Sequence, residues 1–201
     1  MATTATQEAL ELLAQGGFTM GPLIAFAVVL WYGLGYRALT LWRGSSVGLR
    51  ALVRLYRAAP ARTPRGLIDA AVLRGVALTQ KHHGTRLRRA LAVAFGDIAR
   101  EAGRCRALVQ AVVVAAPLTG LLGTVSGMIE TFDSLGQMAL YTQSGGIAGG
   151  ISEALFSTQM GLAVAIPGLV IGRLLARREE RLLMELDTLT EVLLGTQETA
   201  A

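Results

Sequence analysis

The sequence predicts an all-α membrane protein with three transmembrane helices. The chain is 52% hydrophobic, with a mean hydropathy of +0.49, and only 16% charged, whereas a soluble domain carries about a quarter charged residues. Charges are absent from Leu12–Tyr36, Ala107–Ile129 and Ala154–Gly172, which are 25, 23 and 19 residues long. A helix rises about 1.5 Å per residue, so roughly 20 apolar residues cross the hydrocarbon core. All three gaps suffice.

After a short outer segment (1–17), the first span is expected over 18–42. A secretory signal peptide begins with basic residues, yet Glu8 and Glu11 are the only charges ahead of Arg37, so the helix is read as retained. Trp31, Tyr32, Tyr36 and Trp42 gather toward its inner end as an interfacial aromatic belt. Its middle, Ile24 to Leu30, has no polar face and suits lipid.

Residues 43–106 form the basic part of the chain. Between Arg37 and Arg106 there are fifteen Lys or Arg against Asp69, Asp97 and Glu101, a net +12. Basic residues flanking spans mark the cytoplasmic side, so the N-terminus is placed in the periplasm and both the loop and the C-terminus in the cytoplasm. Arg37, Arg43, Arg50 and Arg54 flank the first span; Arg100, Arg104 and Arg106 flank the second. Arg50, Arg54 and Arg57, with Leu49, Leu52, Val53 and Tyr56 between them, predict an amphipathic helix. Pro60 and Pro64 break the chain, and a second loop helix is expected over Leu67–Lys81. A third starts near Arg86, with Leu87, Leu91, Phe95 and Ile98 as its apolar stripe, and is expected to run on into the second span. With no recognition motif for nucleic acid, the basic loop is assigned to anionic lipid headgroups.

Chemistry-bearing groups are sparse. The lone Cys105 forms no internal disulfide, and His82-His83 in an Arg-rich stretch reads as a solvated pair. No metal site, cofactor, nucleophile–base pair or phosphate loop is expected, and the chain is not read as an enzyme.

The second span (107–132) carries a narrow small-residue stripe: Ala116, Gly120, Gly123, Thr124, Gly127 and Thr131 fall within about 100° of arc. A loop (133–146) holding no base leads to the third span (147–172), where Gly150, Ala154, Ser157, Thr158, Gly161, Ala165, Gly168 and Gly172 repeat the design. Such faces let helices approach closely in lipid. Thr124, Ser157 and Thr158 add hydroxyls to these faces, which suggests a polar seam or pore. Glu153 is the sharpest single residue, because an acid inside the bilayer is costly unless it faces water or a partner. A helix starting near Ile147 places it within the membrane; one starting at Ala154 leaves it at the outer interface. The embedded placement is favoured. Glu130 and Asp133 are read as interfacial. Beyond the span, 173–201 is expected as a cytoplasmic helix, with Leu182, Leu186, Leu189 and Leu193 as a seam against neighbouring copies or against the chain's own loop helices. Gly195 onward is expected to fray.

Two segments carry a resemblance. Ala116-Pro117-Leu-Thr-Gly120-Leu-Leu-Gly123-Thr124-Val-Ser-Gly127-Met128 resembles the second-span signature of the ExbB/TolQ/MotA proton-channel family. Gly150-Ile-Ser-Glu153-Ala-Leu-Phe-Ser157-Thr158-Gln-Met-Gly161-Leu-Ala-Val-Ala165-Ile-Pro167 resembles its third-span signature. Three spans with a basic loop after the first are closest to ExbB and TolQ. The resemblance implies a pentameric ring in the bacterial inner membrane, with the second and third helices around a central pore and protons as the coupling ion. It implies ExbD/TolR-like single-span partners whose membrane aspartate carries the proton. It further implies a TonB- or TolA-like recipient acting on the outer membrane. Thr124 and Thr158 match the pore hydroxyls, and Glu153 the family's third-span glutamate. ExbB and TolQ subtypes stay open, as do an ion-driven stator of a motility system, with proton or sodium, and a non-conducting scaffold.

Overall fold

The computed structural model describes residues 17–45, 47–59, 63–138 and 146–198. Among them the structure is helical, without strands. A 3₁₀ turn, Gly17–Thr19, leads into α1 (Met20–Thr40), followed by α2 (Leu49–Ala58), α3 (Leu67–Lys81), α4 (Gly84–Ala102), α5 (Arg106–Met138) and α6 (Gly146–Glu198). Three helical stretches are long and apolar enough to cross a membrane, as the charge gaps predict. The outer segment ahead of Gly17, residues 139–145 of the loop between the second and third spans, Pro60 and the last three residues lie outside the described residues.

Two expectations change and one is met. The loop helix α4 does not run on into the second span: a turn at Gly103–Cys105 separates α4 from α5, and Cys105 holds φ 62°. That left-handed conformation is uncommon for a non-glycine residue and ends the helix. The third span continues into the C-terminal helix as one element, α6, as expected. Gly195 lies inside it rather than in a frayed tail.

The chain forms two compact units. The first comprises the described residues through Leu34 together with Ala107–Gly172. In it α1 turns Met20, Leu23 and Leu30 inward and leaves Ile24, Val28, Trp31 and Tyr32 exposed. Met20 and Leu23 join Ala116 and Ala165 in a buried cluster, against which Phe26, Phe156, Met160 and Val164 pack.

The second unit comprises Gly35–Arg106 and the residues from Arg173 on. Leu52, Val53 and Tyr56 of α2 and Leu87, Leu91, Phe95 and Ile98 of α4 are buried, as their spacing predicts, and Ile68, Ala71 and Val72 of α3 are buried as well. Leu182, Leu186, Leu189 and Leu193 of α6 are buried too. A Cβ on Gly75 would lie 2.5 Å from Leu193 Cδ1, so this seam packs on the chain's own loop helices. Asp69, on the first turn of α3, accepts from the Ser45 backbone N–H (3.3 Å), Ser45 Oγ (3.0 Å) and the Arg65 N–H (3.2 Å). These bonds and the adjacent helix N-terminus satisfy a carboxylate that is 1% exposed.

The basic residues are used in several ways. Arg37, counted above as a flanking charge, is 2% exposed and pairs with Glu179 at 2.6 Å; Arg106 approaches the same carboxylate at 3.6 Å. Arg43 binds Glu185 through its Nε at 2.9 Å. Glu101 accepts from the Tyr36 hydroxyl and lies near Arg104; the Tyr36 bond first, and Arg104 after it, hold its carboxyl below the usual range. Arg57 donates to Thr196 Oγ1 at 3.0 Å.

Breaking the Arg37–Glu179 pair strands a buried charge. Arg37→Met is expected to cost about 3–5 kcal/mol, read as a lower thermal midpoint of the detergent-purified protein. Arg37→Met with Glu179→Leu should recover most of that loss, whereas additive losses would contradict the pairing.

Candidate functional site

The small-residue stripes of α5 and α6 meet face to face. A Cβ on Gly120 would lie 2.9 Å from the Ser157 carbonyl oxygen and 3.1 Å from Thr158 Cα. One on Gly161 would lie 2.8 Å from the Ala116 carbonyl oxygen, and one on Gly127 2.7 Å from that of Gly150. One on Gly123 would collide with Ser157 Oγ. Backbone touches backbone along three turns. This is the close approach that lipid-embedded helices need, since lipid gives no hydrophobic drive to associate.

The hydroxyls divide into two sets. Thr119, Thr124 and Thr131 donate within α5, to Ala115 O (3.0 Å), Leu121 O (2.7 Å) and Gly127 O (2.8 Å), the usual refuge of a hydroxyl in a span. Ser157 and Thr158 instead reach across from α6, each donating to the Gly120 carbonyl at 3.3 Å. That carbonyl sits one turn before Thr124 on α5, so Thr124 and Thr158 converge about Gly120. Both are half-buried and retain exposed surface.

The other expected residues are placed differently. Ser157 is 0% exposed, bonded to Gly120 and to Thr19 Oγ1 at 2.8 Å. Its hydroxyl is consumed inside the subunit, which corrects its assignment to a pore lining. Glu153 lies five residues before Thr158, about 140° away around α6, and does not join the two threonines. The helix begins at Gly146, so Glu153 stands two turns inside it, and its carboxylate abuts Gly17 at the start of the 3₁₀ turn Gly17–Thr19. Ala165 is buried in the cluster with α1 residues, a packing position. Pro117 and Pro167 lie within α5 and α6, each removing one helical hydrogen bond; Pro117 is half-buried and Pro167 exposed. Glu130 and Asp133 are exposed near the end of α5. Among the described residues no group of three His, Cys, Asp or Glu is arranged to hold a metal ion.

The sequence reading missed Thr19 and Gly17, which abut the third span, and the Arg37–Glu179 pair. Glu179 was signalled: it falls on the same helical face as Leu175, Leu182 and Leu186, an acid on an apolar stripe. Thr19 was not, because a single threonine at a span's edge has no period.

Comparison with known proteins gives one family. The model of the MotA/TolQ/ExbB proton channel family matches residues 63–188. The "Putative biopolymer transport protein ExbB-like 3" of Synechocystis is 48% identical over 69 residues, 33% of this chain and 32% of that protein. "Biopolymer transport protein ExbB" of Salmonella typhimurium is 36% identical over 95 residues, 47% of this chain and 37% of its own length. "Biopolymer transport protein exbB1" of Vibrio cholerae is 26% identical over 189 residues, covering 88% of this chain and 83% of that protein. The chain thus spans only about a third of the Synechocystis and Salmonella proteins.

The backbone contact is testable residue by residue. Gly120→Ala is expected to destabilise the α5–α6 pair by about 1–3 kcal/mol, since the added carbon meets backbone that has no rotamer with which to yield. Gly136→Ala, with nothing within 4 Å of the new Cβ, should be neutral or slightly stabilising. Thermal unfolding of the two variants in one detergent separates them; equal behaviour would refute the contact.

Proposed function

Because the chain belongs to the MotA/TolQ/ExbB proton channel family and is a multi-pass protein of the bacterial inner membrane, we propose that it is the stationary, channel-forming subunit of a proton-motive-force-driven motor of the ExbB–ExbD or TolQ–TolR type. It is a channel component and not an enzyme; it uses no cofactor, and protons are its coupling ion. Its N-terminus lies in the periplasm and its C-terminus in the cytoplasm.

The observation that carries this reading is the pair Thr124 and Thr158. They share one neighbourhood about Gly120, on a helix pair locked by backbone contact, and both keep surface open to something outside the chain. In the proposed assembly five copies form a ring, and these hydroxyls face a pore. There they meet the membrane aspartate of a single-span ExbD- or TolR-like partner. A charged aspartate in the bilayer is costly, and protonation removes that cost. The neutral side chain then passes successive hydroxyls as the partner helix turns. Moving one charge through 100 mV supplies about 2.3 kcal/mol, which the partner transmits outward to a TonB- or TolA-like protein. The names of the ExbB relatives support biopolymer transport as the process energised. Anionic lipid headgroups are met by the basic loop, together with exposed arginines near the span end such as Arg173 and Arg177.

Thr124→Ala with Thr158→Ala should cut proton flux in native inner-membrane vesicles at least tenfold, with chain abundance unchanged. Full flux in that variant, measured with a pH-sensitive dye under an imposed gradient, would favour a non-conducting scaffold.

A further inference from the structure

Thr19 lies outside both family motifs, yet it is 1% exposed and its hydroxyl is bonded to Ser157 at 2.8 Å. Either hydroxyl can be the donor in that bond, and Ser157 also reaches the Gly120 carbonyl at 3.3 Å. The chain of bonds runs from the 3₁₀ turn ahead of α1, through α6, to α5, joining all three spans at one level. It ends on the same carbonyl that receives Thr158. Gly123 leaves the space this junction needs: a Cβ there would strike Ser157 Oγ and come within 2.9 Å of Thr19 Oγ1. The same turn also touches α6 one helical turn earlier, where Gly17, at φ +59°, abuts the Glu153 carboxylate.

We propose that Thr19 is a positioning residue for the hydroxyl pathway: through Ser157 it fixes the Gly120 carbonyl and hence the orientation of Thr158. This rests on the functional reading above. Without the Thr19 hydroxyl, Ser157 loses that partner and is free to turn to its own helix, as hydroxyls in spans ordinarily do. Gly120 then keeps Thr158 alone. The first span on this view contributes to the pathway and does more than anchor the subunit in lipid. Interhelical hydroxyl bonds in membranes are modest, so the expected loss is roughly three- to tenfold in flux rather than abolition.

The test uses native inner-membrane vesicles carrying the full chain with the subunits it assembles with. Coupled flux is the dye-reported proton movement present in the wild type and lost in T124A/T158A. Thr19→Val, of nearly the same shape without the hydroxyl, should keep chain abundance and native complex mass but lower coupled flux roughly three- to tenfold. Thr19→Ser should retain more than half of it. Ser157→Ala should resemble Thr19→Val, and the double variant should be no worse than either, because the two act through one bond. Wild-type flux in Thr19→Val, equal damage from Thr19→Ser, or multiplying losses in the double variant would each overturn the proposal while leaving the functional reading standing. If Thr19→Val does not accumulate, Thr19→Ala carries the same comparison; failure of both to accumulate makes Thr19 structural and overturns the assignment. A wild type with no flux above T124A/T158A would instead defeat the functional reading itself.

Discussion

The membrane part of this protein depends on two helix backbones touching, with only small side chains such as Ser157 between them. Gly120 and Gly127 on α5 meet the α6 backbone at Ser157 and Gly150, and Gly161 on α6 meets that of Ala116, at distances that admit no Cβ, while Gly123 makes room for the Ser157 side chain. Within lipid this contact supplies the dispersion attraction that the hydrophobic effect supplies in water. It also brings the Gly120 carbonyl within reach of hydroxyls on the other helix, which a wider spacing would forbid. Thr158 lies at the edge of that contact, Ser157 at its centre. One is left facing outward and the other is sealed in.

The second unit solves a different problem, since it is rich in charge and still needs a core. Its apolar seam on α6 accepts one acid, Glu179, because Arg37 and Arg106 converge on it. Desolvating that pair is costly, and its gain over an apolar substitute is small. Its value lies in specificity: only one register of α6 brings Glu179 to Arg37. The carboxylate of Asp69 does similar work at the start of α3, gathering donors from Ser45 and Arg65.

Much of this was legible beforehand. Charge gaps long enough for a bilayer located the spans, and the α3 boundaries, Leu67 and Lys81, follow from apolar spacing after Pro64. The glycine stripes were visible because helical periodicity is strong when the residues are small on one face only. What the sequence concealed was the destination of individual polar groups. Ser157 and Thr158 are neighbours with the same chemistry, yet 100° of helix rotation puts one in the packing centre and the other at its edge. Arg37 counts as a topological charge in sequence and is a buried ion-pair partner in space. The break at Cys105 carried no signal, since neither proline nor glycine occupies the left-handed position itself. Thr19 became interpretable only through a partner 138 residues away.

The central claim is that Thr124 and Thr158 face protein or water in the assembled complex while the flank of α5 bearing Leu118, Leu121 and Leu122 faces lipid. Spin labels at Thr124→Cys and Thr158→Cys, and at Leu118→Cys and Leu121→Cys, in a Cys105→Ser background reconstituted with its partner subunits, measure this directly by collision with oxygen and with a water-soluble relaxant. The account predicts low oxygen accessibility at both threonine positions and lipid-like accessibility at both leucines. Lipid-like accessibility at the threonines would contradict it.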